Sequence, residues 1–345
     1  MEKMAKKILI TGGAGFIGSN YACHRILNGD DVTIYDNLSR NGARENLEWI
    51  SSKTHGKSFE FSKGDVRNYE NLKNVVKEKD VIIHLAAQVA VTSSVTDPQF
   101  DFSVNAAGTF NVLEAARLCG EKPLIIYAST NKVYGEIKDI TVIEKEMRYS
   151  FKDLHAGVNE NQLLDFHSPY GCSKGCGDQY VRDYSRIYDI PTVVFRQSCI
   201  YGKRQFGIED QGWVAWFVIA AVLGKPITIY GDGKQVRDLL FVDDLMNAYD
   251  MAIDRKEDAK GLIFNIGGGI ENSVSIWREF GPILEKIHGK EIPISFQEWR
   301  PGDQKIYISD ISKIKDDFGW SPKTSVEKGL SSLYRWVAEN KKLFA

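Results

Sequence analysis

Cysteine is scarce in this 345-residue chain, and neither sign of charge is in large excess. The five cysteines are an odd number and show no metal-ligand spacing. Cys172 and Cys176 are one helical turn apart, but no His cluster or second pair accompanies them, so we predict small buried thiols and no metal site. A formal net charge of −2 gives no basic surface for nucleic acid and no polybasic membrane segment.

Long hydrophobic runs are absent as well. No stretch approaches the ~18 apolar residues that a membrane-spanning helix needs, and the charged start of the chain is unlike a secretory leader. These absences favour a soluble protein in the reducing cytoplasm, with no membrane partner. Hydrophobic residues nevertheless make up 43% of the chain, enough for a large core and a smaller second lobe.

A glycine-rich turn follows the short apolar stretch at residues 7–11, with Gly12, Gly15 and Gly18 at regular spacing. The stretch predicts a buried strand, and the residues after the glycines predict a helix. In such a unit the first glycine permits a tight turn, the second lets a pyrophosphate approach the helix N-terminus, and the third allows close packing. The turn therefore predicts a dinucleotide site.

Asp36 ends the second predicted strand, residues 31–35. An acidic residue there can accept hydrogen bonds from both adenosine ribose hydroxyls and repels a 2′-phosphate, which favours NAD over NADP. Arg40 nearby keeps NADP open, and a simple turn role at the strand end is the alternative for Asp36. Asp65, in the next predicted strand, could reach the adenine amino group.

Strands and helices continue to alternate along the chain. Further strands are predicted at residues 59–66, 81–85, 124–128 and 192–196, and a helix at 105–118. This alternation predicts an α/β fold, a Rossmann-type doubly wound parallel sheet with a smaller α/β substrate-binding lobe. His84, inside an apolar strand, is predicted to be a core residue.

The predicted domains divide the chain unevenly. We assign residues 1–200, with a returning segment around 236–266, to the NAD-binding domain. Residues 201–235 and 267–345 form the predicted substrate-binding lobe.

Tyr170 and Lys174 are spaced for one face of a helix, and Thr130 follows the fifth predicted strand. A cation ~4 Å from the phenol, at an effective dielectric of ~20, is worth roughly 4 kcal/mol, or about three pK units. Because free tyrosine titrates near ~10, the pair predicts a phenol with a pKa near ~7 that can act as a base. A packed Tyr beside a solvated Lys is the alternative.

Four motifs together carry a resemblance to a known family. They are the glycine turn at residues 11–18, His-Leu-Ala-Ala-Gln at 84–88, Ser-Thr-x-x-Val-Tyr-Gly at 129–135, and Tyr-x-x-x-Lys at 170–174. Taken over nearly the whole chain, the sequence resembles the extended short-chain dehydrogenase/reductase family that acts on nucleotide sugars. The resemblance implies that Thr130 hydrogen bonds to the substrate hydroxyl, that Tyr170 is the base, and that Lys174 binds the nicotinamide ribose and lowers the tyrosine pKa.

The same resemblance implies two sets of binding residues. The expected NAD contacts are Gly12, Gly15, Phe16, Ile17, Gly18, Asp36, Asn37, Ser39, Arg40, Asp65, Val66, Leu85, Ala86, Ala87, Gln88, Asn105, Tyr170 and Lys174. The expected substrate contacts are Ser94, Asn131, Gln197, Cys199, Gln211, Trp213, Arg237, Arg300 and Asp303. Cys199 departs from the family, which commonly has Asn there, and Trp213 is also compatible with a core position.

Asn131 and Lys132 reduce the number of reactions that the site is expected to catalyse. Sugar 4,6-dehydratases of the family have Asp-Glu at these positions, because the elimination of water needs an extra acid and base. Dehydration is therefore not expected, which leaves epimerisation or simple oxidation. The runs at 165–175 and 210–214 resemble the branch of the family that epimerises CDP-linked hexoses at C2.

Two other functions stay open: C4 epimerisation of a UDP-hexose, and a non-catalytic NAD-binding sensor or scaffold.

Arg237 and Arg300 match family positions that bind the substrate pyrophosphate, where planar guanidinium groups bind phosphate through paired hydrogen bonds. Residues 227–238 predict a β-hairpin through Asp232 and Gly233. The long segment 136–169 is either a surface excursion or a substrate-shaping element.

The helices around 105–118 and 172–188 resemble the family's dimer surface. A homodimer and a homotetramer are equally compatible with the sequence.

Overall fold

A computed structural model of the chain describes residues 4–300 and 303–344. The first three residues of the predicted charged start, Pro301 and Gly302 of the motif that begins at Arg300, and Ala345 lie outside this description. The strands are β1 (Lys7–Thr11), β2 (Asp31–Asp36), β3 (Glu60–Lys63), β4 (Val81–His84), β5 (Leu124–Thr130), β6 (Val142–Glu144), β7 (Tyr149–Phe151), β8 (Thr192–Gln197), β9 (Cys199–Tyr201), β10 (Ile227–Tyr230), β11 (Val236–Phe241), β12 (Leu262–Ile266), β13 (Ser273–Ser275), β14 (Ile294–Gln297) and β15 (Ile306–Tyr307).

Helices alternate with most of the strands. They are α1 (Phe16–Leu27), α2 (Ala43–Lys53), α3 (Tyr69–Val75), α4 (Val91–Thr96), α5 (Pro98–Phe102), α6 (Gly108–Leu118), α7 (Ser168–Tyr188), α8 (Trp213–Leu223), α9 (Val242–Asp254), α10 (Lys256–Ala259), α11 (Phe280–His288), α12 (Ser312–Phe318) and α13 (Val326–Glu339). A π-helical turn at Ser103–Ala107 leads into α6. No helix in the described part of the chain is both long and apolar enough to cross a membrane.

A seven-stranded sheet in the order β12-β8-β5-β4-β1-β2-β3 confirms the predicted doubly wound architecture. β1 pairs in parallel with β2 on one side and with β4 on the other, as when Ile8 faces both Val32 and Val81. Strands buried on both faces need unbroken apolar sequence, and β1 and β4 supply it. The change of strand order beside β1 puts the ligand crevice of such a sheet at the carboxyl ends of these strands.

The chain divides into two compact units. The first comprises Met1–Thr130, Ser168–Phe195 and Met246–Ile263, and the second comprises Asn131–His167, Arg196–Leu245 and Phe264–Ala345. The sequence-based domain boundaries at residues 200, 235 and 266 stay a prediction.

His84 has the core role predicted for it in the first unit. It is buried, and its ring nitrogens lie 2.7 Å from Thr11 Oγ1 and 3.0 Å from Thr109 Oγ1. Burial, followed by the nearby Lys174 charge, lowers the pKa of His84 to about 3, so the ring is neutral.

The predicted hairpin at residues 227–238 is wrong. β10 pairs in parallel with β14, whereas β11 pairs with β9, β13 and β15. The Asp232 carboxylate accepts hydrogen bonds from the backbone N–H of Lys234 and the hydroxyl of Tyr149, so the loop connects strands of two separate sheets. Asp232 and Gly233 favour a tight turn locally, but pairing with strands distant in the sequence determined the structure here.

The long segment before α7 is part of the core of the second unit. β6 and β7 form an antiparallel pair, and Tyr149, Phe151 and Val158 are buried in a cluster with Tyr307. The segment is therefore more than a surface excursion, because it buries apolar surface, and its substrate-shaping role stays a prediction.

The cysteines are free, but most are less buried than predicted. Cys23 is buried, Cys172 is exposed, and Cys119, Cys176 and Cys199 are intermediate. The expectation of buried thiols at Cys172 and Cys176 is wrong, because the helix face they share in α7 is not fully covered.

Candidate active site

The glycine turn after β1 has the close approaches expected of a dinucleotide cradle. Gly12 has a φ of +70°, and a Cβ there would lie 2.7 Å from the backbone nitrogen of Ala86. A Cβ on Gly18 would collide with the carbonyl oxygen of Gly12. Gly15 precedes α1, which has neither a side-chain cap nor an acidic residue in its first turn. Its backbone N–H groups suit a phosphate.

Asp36 ends β2 beside this turn. Its carboxylate accepts hydrogen bonds from the backbone N–H of Ala14 at 3.0 Å and of Leu38 at 2.8 Å. Burial raises the pKa of Asp36, and the two backbone hydrogen bonds partly oppose the rise. Each carboxylate oxygen can accept a further hydrogen bond, so the group fits a ribose diol. The Asp36 carboxylate, which can accept hydrogen bonds from ribose hydroxyls, and the glycine turn, which can hold a phosphate, together fit NAD.

The Asp65 carboxylate is held by its own neighbours. Arg67 forms hydrogen bonds to both of its oxygens, and Asn37 Nδ2 donates at 2.9 Å. These hydrogen bonds, chiefly that of Arg67, lower the pKa of Asp65 to about 2. The predicted contact with the adenine amino group would have to share this carboxylate with Arg67.

The other predicted NAD contacts lie after strands β2, β3 and β4 or at the start of α1, all in the same unit. Asn37, Ser39 and Arg40 are exposed after β2, Val66 is buried, Phe16 and Ile17 are partly exposed in the first turn of α1, and Leu85, Ala86 and Ala87 are partly exposed after β4.

Asn105 fixes the loop after β4. Its amide oxygen accepts a hydrogen bond from the backbone N–H of Gln88, and its amide nitrogen donates to the Gln88 carbonyl, both at 2.9 Å. The same nitrogen lies 3.1 Å from Asp101 Oδ1 and 3.2 Å from Ser173 Oγ. Asn105 is within the π-helical turn, a form that often occurs at functional sites.

Tyr170 and Lys174 lie in α7, as the sequence predicts, and Thr130 is the last residue of β5. All three side chains are buried, and the Thr130 hydroxyl hydrogen bonds to that of Tyr170. Ser94, predicted to contact substrate, accepts a hydrogen bond from the Tyr170 backbone N–H at 3.1 Å and donates to the carbonyl of Val91 at 2.7 Å. Its hydroxyl therefore holds the start of α7.

The Lys174 ammonium is directed toward β5. Nζ donates to the carbonyl oxygen of Ala128 at 2.5 Å and lies 4.2 Å from the centroid of the Tyr127 ring. Burial lowers the pKa of Lys174 to about 7, against the opposing charges of Asp178 and Asp101. The lysine therefore changes charge near neutral pH.

The electrostatics of Tyr170 differ from the predicted pKa near 7. Burial raises its pKa to about 12, the Thr130 hydrogen bond opposes the rise, and the charge of Asp101 adds to it. Desolvation outweighs any help from Lys174, whose ammonium is committed to Ala128 and Tyr127. Sequence spacing reveals a shared helix face but not how deeply the pair is buried.

The second unit holds a group of charged residues around Arg237. Arg237 Nη2 pairs with Asp303 Oδ1 at 2.6 Å, and the Arg237 side chain is only 7% exposed. Lys132 Nζ donates to Gln304 Oε1 at 3.2 Å. Burial, followed by the Arg237 charge, lowers the pKa of Lys132 to about 8, while Asp303 and Cys199 oppose this.

Arg300 lies in a different environment from Arg237. Its guanidinium is 3.8 Å from the centroid of the Tyr230 ring and 3.2 Å from Asp210 Oδ1. Trp213 opens α8 and packs edge to face on Phe280, with ring centroids 4.9 Å apart, so it contributes to the core of the unit.

The remaining predicted substrate contacts also belong to the second unit. Asn131 and Gln197 are buried, Cys199 is partly buried in β9, and Gln211 is partly exposed in a backbone bridge with Ile208. Burial raises the pKa of the Cys199 thiol.

Sequence reasoning missed three residues at these places. Asp101 is completely buried and influences Tyr170 and Lys174, while Lys132 is affected by the Arg237 charge and hydrogen bonds to Gln304. A lysine directly after the sequence Thr130-Asn131 was the available signal for Lys132. Asp101 and Gln304 gave none, because only the fold brings them to these neighbours.

Comparison with known proteins places this geometry in a family. The model of the GDP-mannose 4,6 dehydratase family matches residues 9–333. The chain belongs to this family, within the extended short-chain dehydrogenases/reductases.

Particular relatives narrow the class. CDP-paratose 2-epimerase of Salmonella typhi is 45% identical, with 96% of this chain and 99% of that protein covered. The structure of UDP-glucose 4-epimerase from Thermotoga maritima with UDP-glucose superimposes with a TM-score of 0.82 at 31% identity, covering 97% and 99% of the two chains. For the Thermus thermophilus UDP-glucose 4-epimerase in complex with NAD, the TM-score is 0.80 at 30% identity, with 96% and 98% covered. The predicted class, an NAD-dependent nucleotide-sugar epimerase, is confirmed.

Proposed function

We propose that this chain epimerises a CDP-linked hexose at C2, converting CDP-paratose to CDP-tyvelose or CDP-glucose to CDP-mannose. The observation that carries the proposal is the 45% identity, over 96% of the chain, to a CDP-paratose 2-epimerase. Asn131 and Lys132 support it, because neither supplies the acid and base pair that a 4,6-dehydration uses.

The first unit would hold NAD and perform the acid-base chemistry. The glycine turn, Asp36, the loop after β4 and Lys174 are the residues that fit the cofactor. When bound, NAD supplies a hydride acceptor and donor, so that C2 can be oxidised to a ketone and reduced again on its opposite face.

Tyr170 and Thr130 have complementary roles in this scheme. As the C2 hydride departs, Tyr170 accepts the proton of the C2 hydroxyl, and Thr130 holds the substrate oxygen by a hydrogen bond. Once the 2-keto sugar had turned over, Tyr170 would give the proton back to the oxygen as C2 was reduced on its other face. Tyr170 can accept this proton only as its phenolate, which the charge of a protonated Lys174 would favour against the burial that raises the pKa of Tyr170 to about 12.

C4 epimerisation of a UDP-hexose is the second candidate. The similarity to the Thermotoga maritima structure with UDP-glucose favours it, since the fold and the predicted catalytic residues would serve either carbon. The difference would lie in how the sugar is seated.

Proton NMR in deuterated water distinguishes the candidates. The purified protein is incubated separately with CDP-glucose, CDP-paratose and UDP-glucose, without added NAD. A C2-epimerised CDP-sugar without ring deuterium is the expected product, since hydride returns internally. UDP-galactose formation alone would overturn the C2 assignment. No turnover of any substrate even after NAD is supplied would instead favour a non-catalytic NAD-binding protein.

We also propose that the protein is a homodimer or homotetramer. α6 and α7 expose Phe110, Tyr180 and Ile187, at 42%, 47% and 65% respectively, and the rings of Phe110 and Tyr180 meet edge to face. Apolar groups exposed together are typical of an interface. Phe110→Asp should lower the mass measured by light scattering, from a dimer to a monomer or from a tetramer to a smaller assembly, whereas Phe296→Asp, at an exposed position of β14, should leave the mass unchanged. An unchanged mass for Phe110→Asp would contradict this interface.

A further inference from the structure

The face of α7 that carries Tyr170 and Lys174 continues to Asp178. The three residues are spaced four apart, so they lie along one side of the helix. The Asp178 side chain is completely buried, and its carboxylate accepts hydrogen bonds from the Ser129 hydroxyl at 2.7 Å and from the side-chain amide of Gln179 at 2.8 Å. All of these residues belong to the first unit. Asp178 therefore joins this face of α7 to β5 within one compact unit.

The end of β5 contacts this face of α7 residue by residue. Each of the last three residues of the strand has a hydrogen-bond partner there: Ala128 with Lys174, Ser129 with Asp178, and Thr130 with Tyr170. The helix can come this close because a glycine faces the strand, and a Cβ on Gly177 would collide with the hydroxyl of Tyr127. Loss of the Ser129 contact should therefore loosen the strand end that carries Thr130.

The Asp178 carboxylate also acts on Lys174 through its charge. Burial lowers the pKa of Lys174 to about 7, and the charges of Asp178 and then of Asp101 oppose this lowering. The other titratable groups near Lys174 are uncharged at pH 7, because burial raises the pKa of the phenols and lowers that of the imidazole; they are Tyr127, Tyr170 and His84. A buried ammonium is costly without a counter-charge, which Asp178 helps to supply.

We propose that Asp178 is a positioning residue for the epimerisation, acting on β5 through Ser129 and on Lys174 through its charge. The hydrogen bond to Ser129 fixes the place of Thr130, and the carboxylate keeps the neighbouring ammonium charged. This inference rests on the proposed function, because it requires Thr130, Tyr170 and Lys174 to act on the sugar. It holds for reaction at either C2 or C4, since the same side chains would serve both carbons.

Asp178→Asn tests the charge, because an amide oxygen can still accept the hydrogen bond of Ser129. Since Lys174 titrates below Tyr170, the first proton lost from this pair sets the acid limb of kcat/KM. Above that limb the reactive form, phenolate with ammonium, is a constant fraction of the pair. Without the Asp178 charge the ammonium is less stable, so the limb should move to lower pH by about one unit and the plateau should fall about 10-fold. Rates are measured with CDP-glucose, or with UDP-glucose if the parent protein acts at C4.

Ser129→Ala tests the hydrogen bond and leaves the charge in place. Its plateau should fall by about 3- to 10-fold through misplacement of the strand end, at an unchanged acid limb. Asp178→Glu should keep the limb near that of the parent, since it keeps the charge. The matched control is Asp183→Asn, which removes an exposed carboxylate of the same helix and should change neither limb nor plateau.

Thermal melting identifies a folding defect in Asp178→Asn. In that case Asp178→Gln compared with Asp178→Glu, two side chains of equal size, isolates the charge in the same way.

A double-mutant cycle tests the contact between Asp178 and Lys174 without turnover. Asp178→Asn, Lys174→Met and the double variant are unfolded in urea at a fixed concentration of NAD, at pH 6 and at pH 9. Lys174 is charged at the first pH and neutral at the second. The coupling should be about 10-fold in the unfolding equilibrium constant at pH 6 and should vanish at pH 9.

Separate outcomes overturn the separate claims. An acid limb that stays in place in a folded Asp178→Asn protein overturns the role of the charge, whatever happens to the plateau. A Ser129→Ala plateau equal to that of the parent overturns the role of the hydrogen bond. Coupling at pH 6 in a protein whose parent turns over no nucleotide sugar supports the contact with Lys174 and overturns the proposed function instead.

Discussion

The two compact units present their predicted site residues in different ways. In the first unit the polar groups are bound mainly to one another, as with Asn105 on Gln88 and Thr130 on Tyr170. In the second unit the predicted substrate contacts are charges on separate segments, such as Arg237 in β11 with Asp303 far along the chain. The first arrangement favours fixed geometry for chemistry, and the second favours recognition of charge.

Removal of the base should have the largest effect. Tyr170→Phe keeps the ring but removes the hydroxyl that hydrogen bonds to Thr130, so turnover should fall by at least about 100-fold. Bound NAD, measured by absorbance after denaturation, should remain, since the glycine turn is untouched. Undiminished turnover would contradict the mechanism.

Disruption of the glycine turn that follows β1 should have the second-largest effect on activity. Gly18→Ala places a Cβ against the carbonyl oxygen of Gly12, so we expect loss of most bound NAD and of the activity that depends on it. Gly29→Ala is the control outside the turn: a Cβ there meets nothing within 4 Å, although the positive φ of Gly29, which Gly18 does not share, adds backbone strain to this variant. Equal NAD content in both variants would show that the turn does not bind the cofactor.

In the second unit, Arg237→Met should act mainly on recognition. It removes a cation from beside Asp303 and should raise KM for the nucleotide sugar by about 10-fold or more, with a smaller change in kcat. Breaking this largely buried pair should also lower the free energy of unfolding by about 3–5 kcal/mol. Arg148→Met, which breaks the pair with Glu279, is a control outside the predicted substrate contacts. If Arg237→Met lowered kcat and left KM unchanged, the proposal that the second unit acts mainly in substrate recognition would be wrong.

Asp101→Asn should have the smallest effect on rate but a distinctive effect on pH. The Asp101 charge raises the pKa of both Tyr170 and Lys174, so its removal should shift the kcat/KM profile to lower pH, with only a few-fold change at the optimum. Asp97→Asn removes only the charge of an exposed helix cap and should leave the profile in place. A lower rate at unchanged pH dependence would indicate a purely structural role for Asp101.

The errors of sequence interpretation share one cause. The Asp-Gly signal at residues 232–233 suggested a hairpin, but β10 found a partner in β14. The spacing of Tyr170 and Lys174 suggested a phenol titrating near 7, but burial raises the pKa of Tyr170 to about 12. Local patterns describe neighbours along the chain and contain no information about burial or distant pairing.

The sequence by itself determined the parallel sheet, the glycine turn and the helix that carries Tyr170 and Lys174, because apolar runs, glycine spacing and helical periodicity are local properties. Only the tertiary structure decided that Asp101 lies buried near Lys174, that Ser94 holds the start of α7, and that Gln304 holds Lys132. These contacts join segments up to 172 residues apart. They form because each buried polar group needs a partner, which only the folded chain can provide.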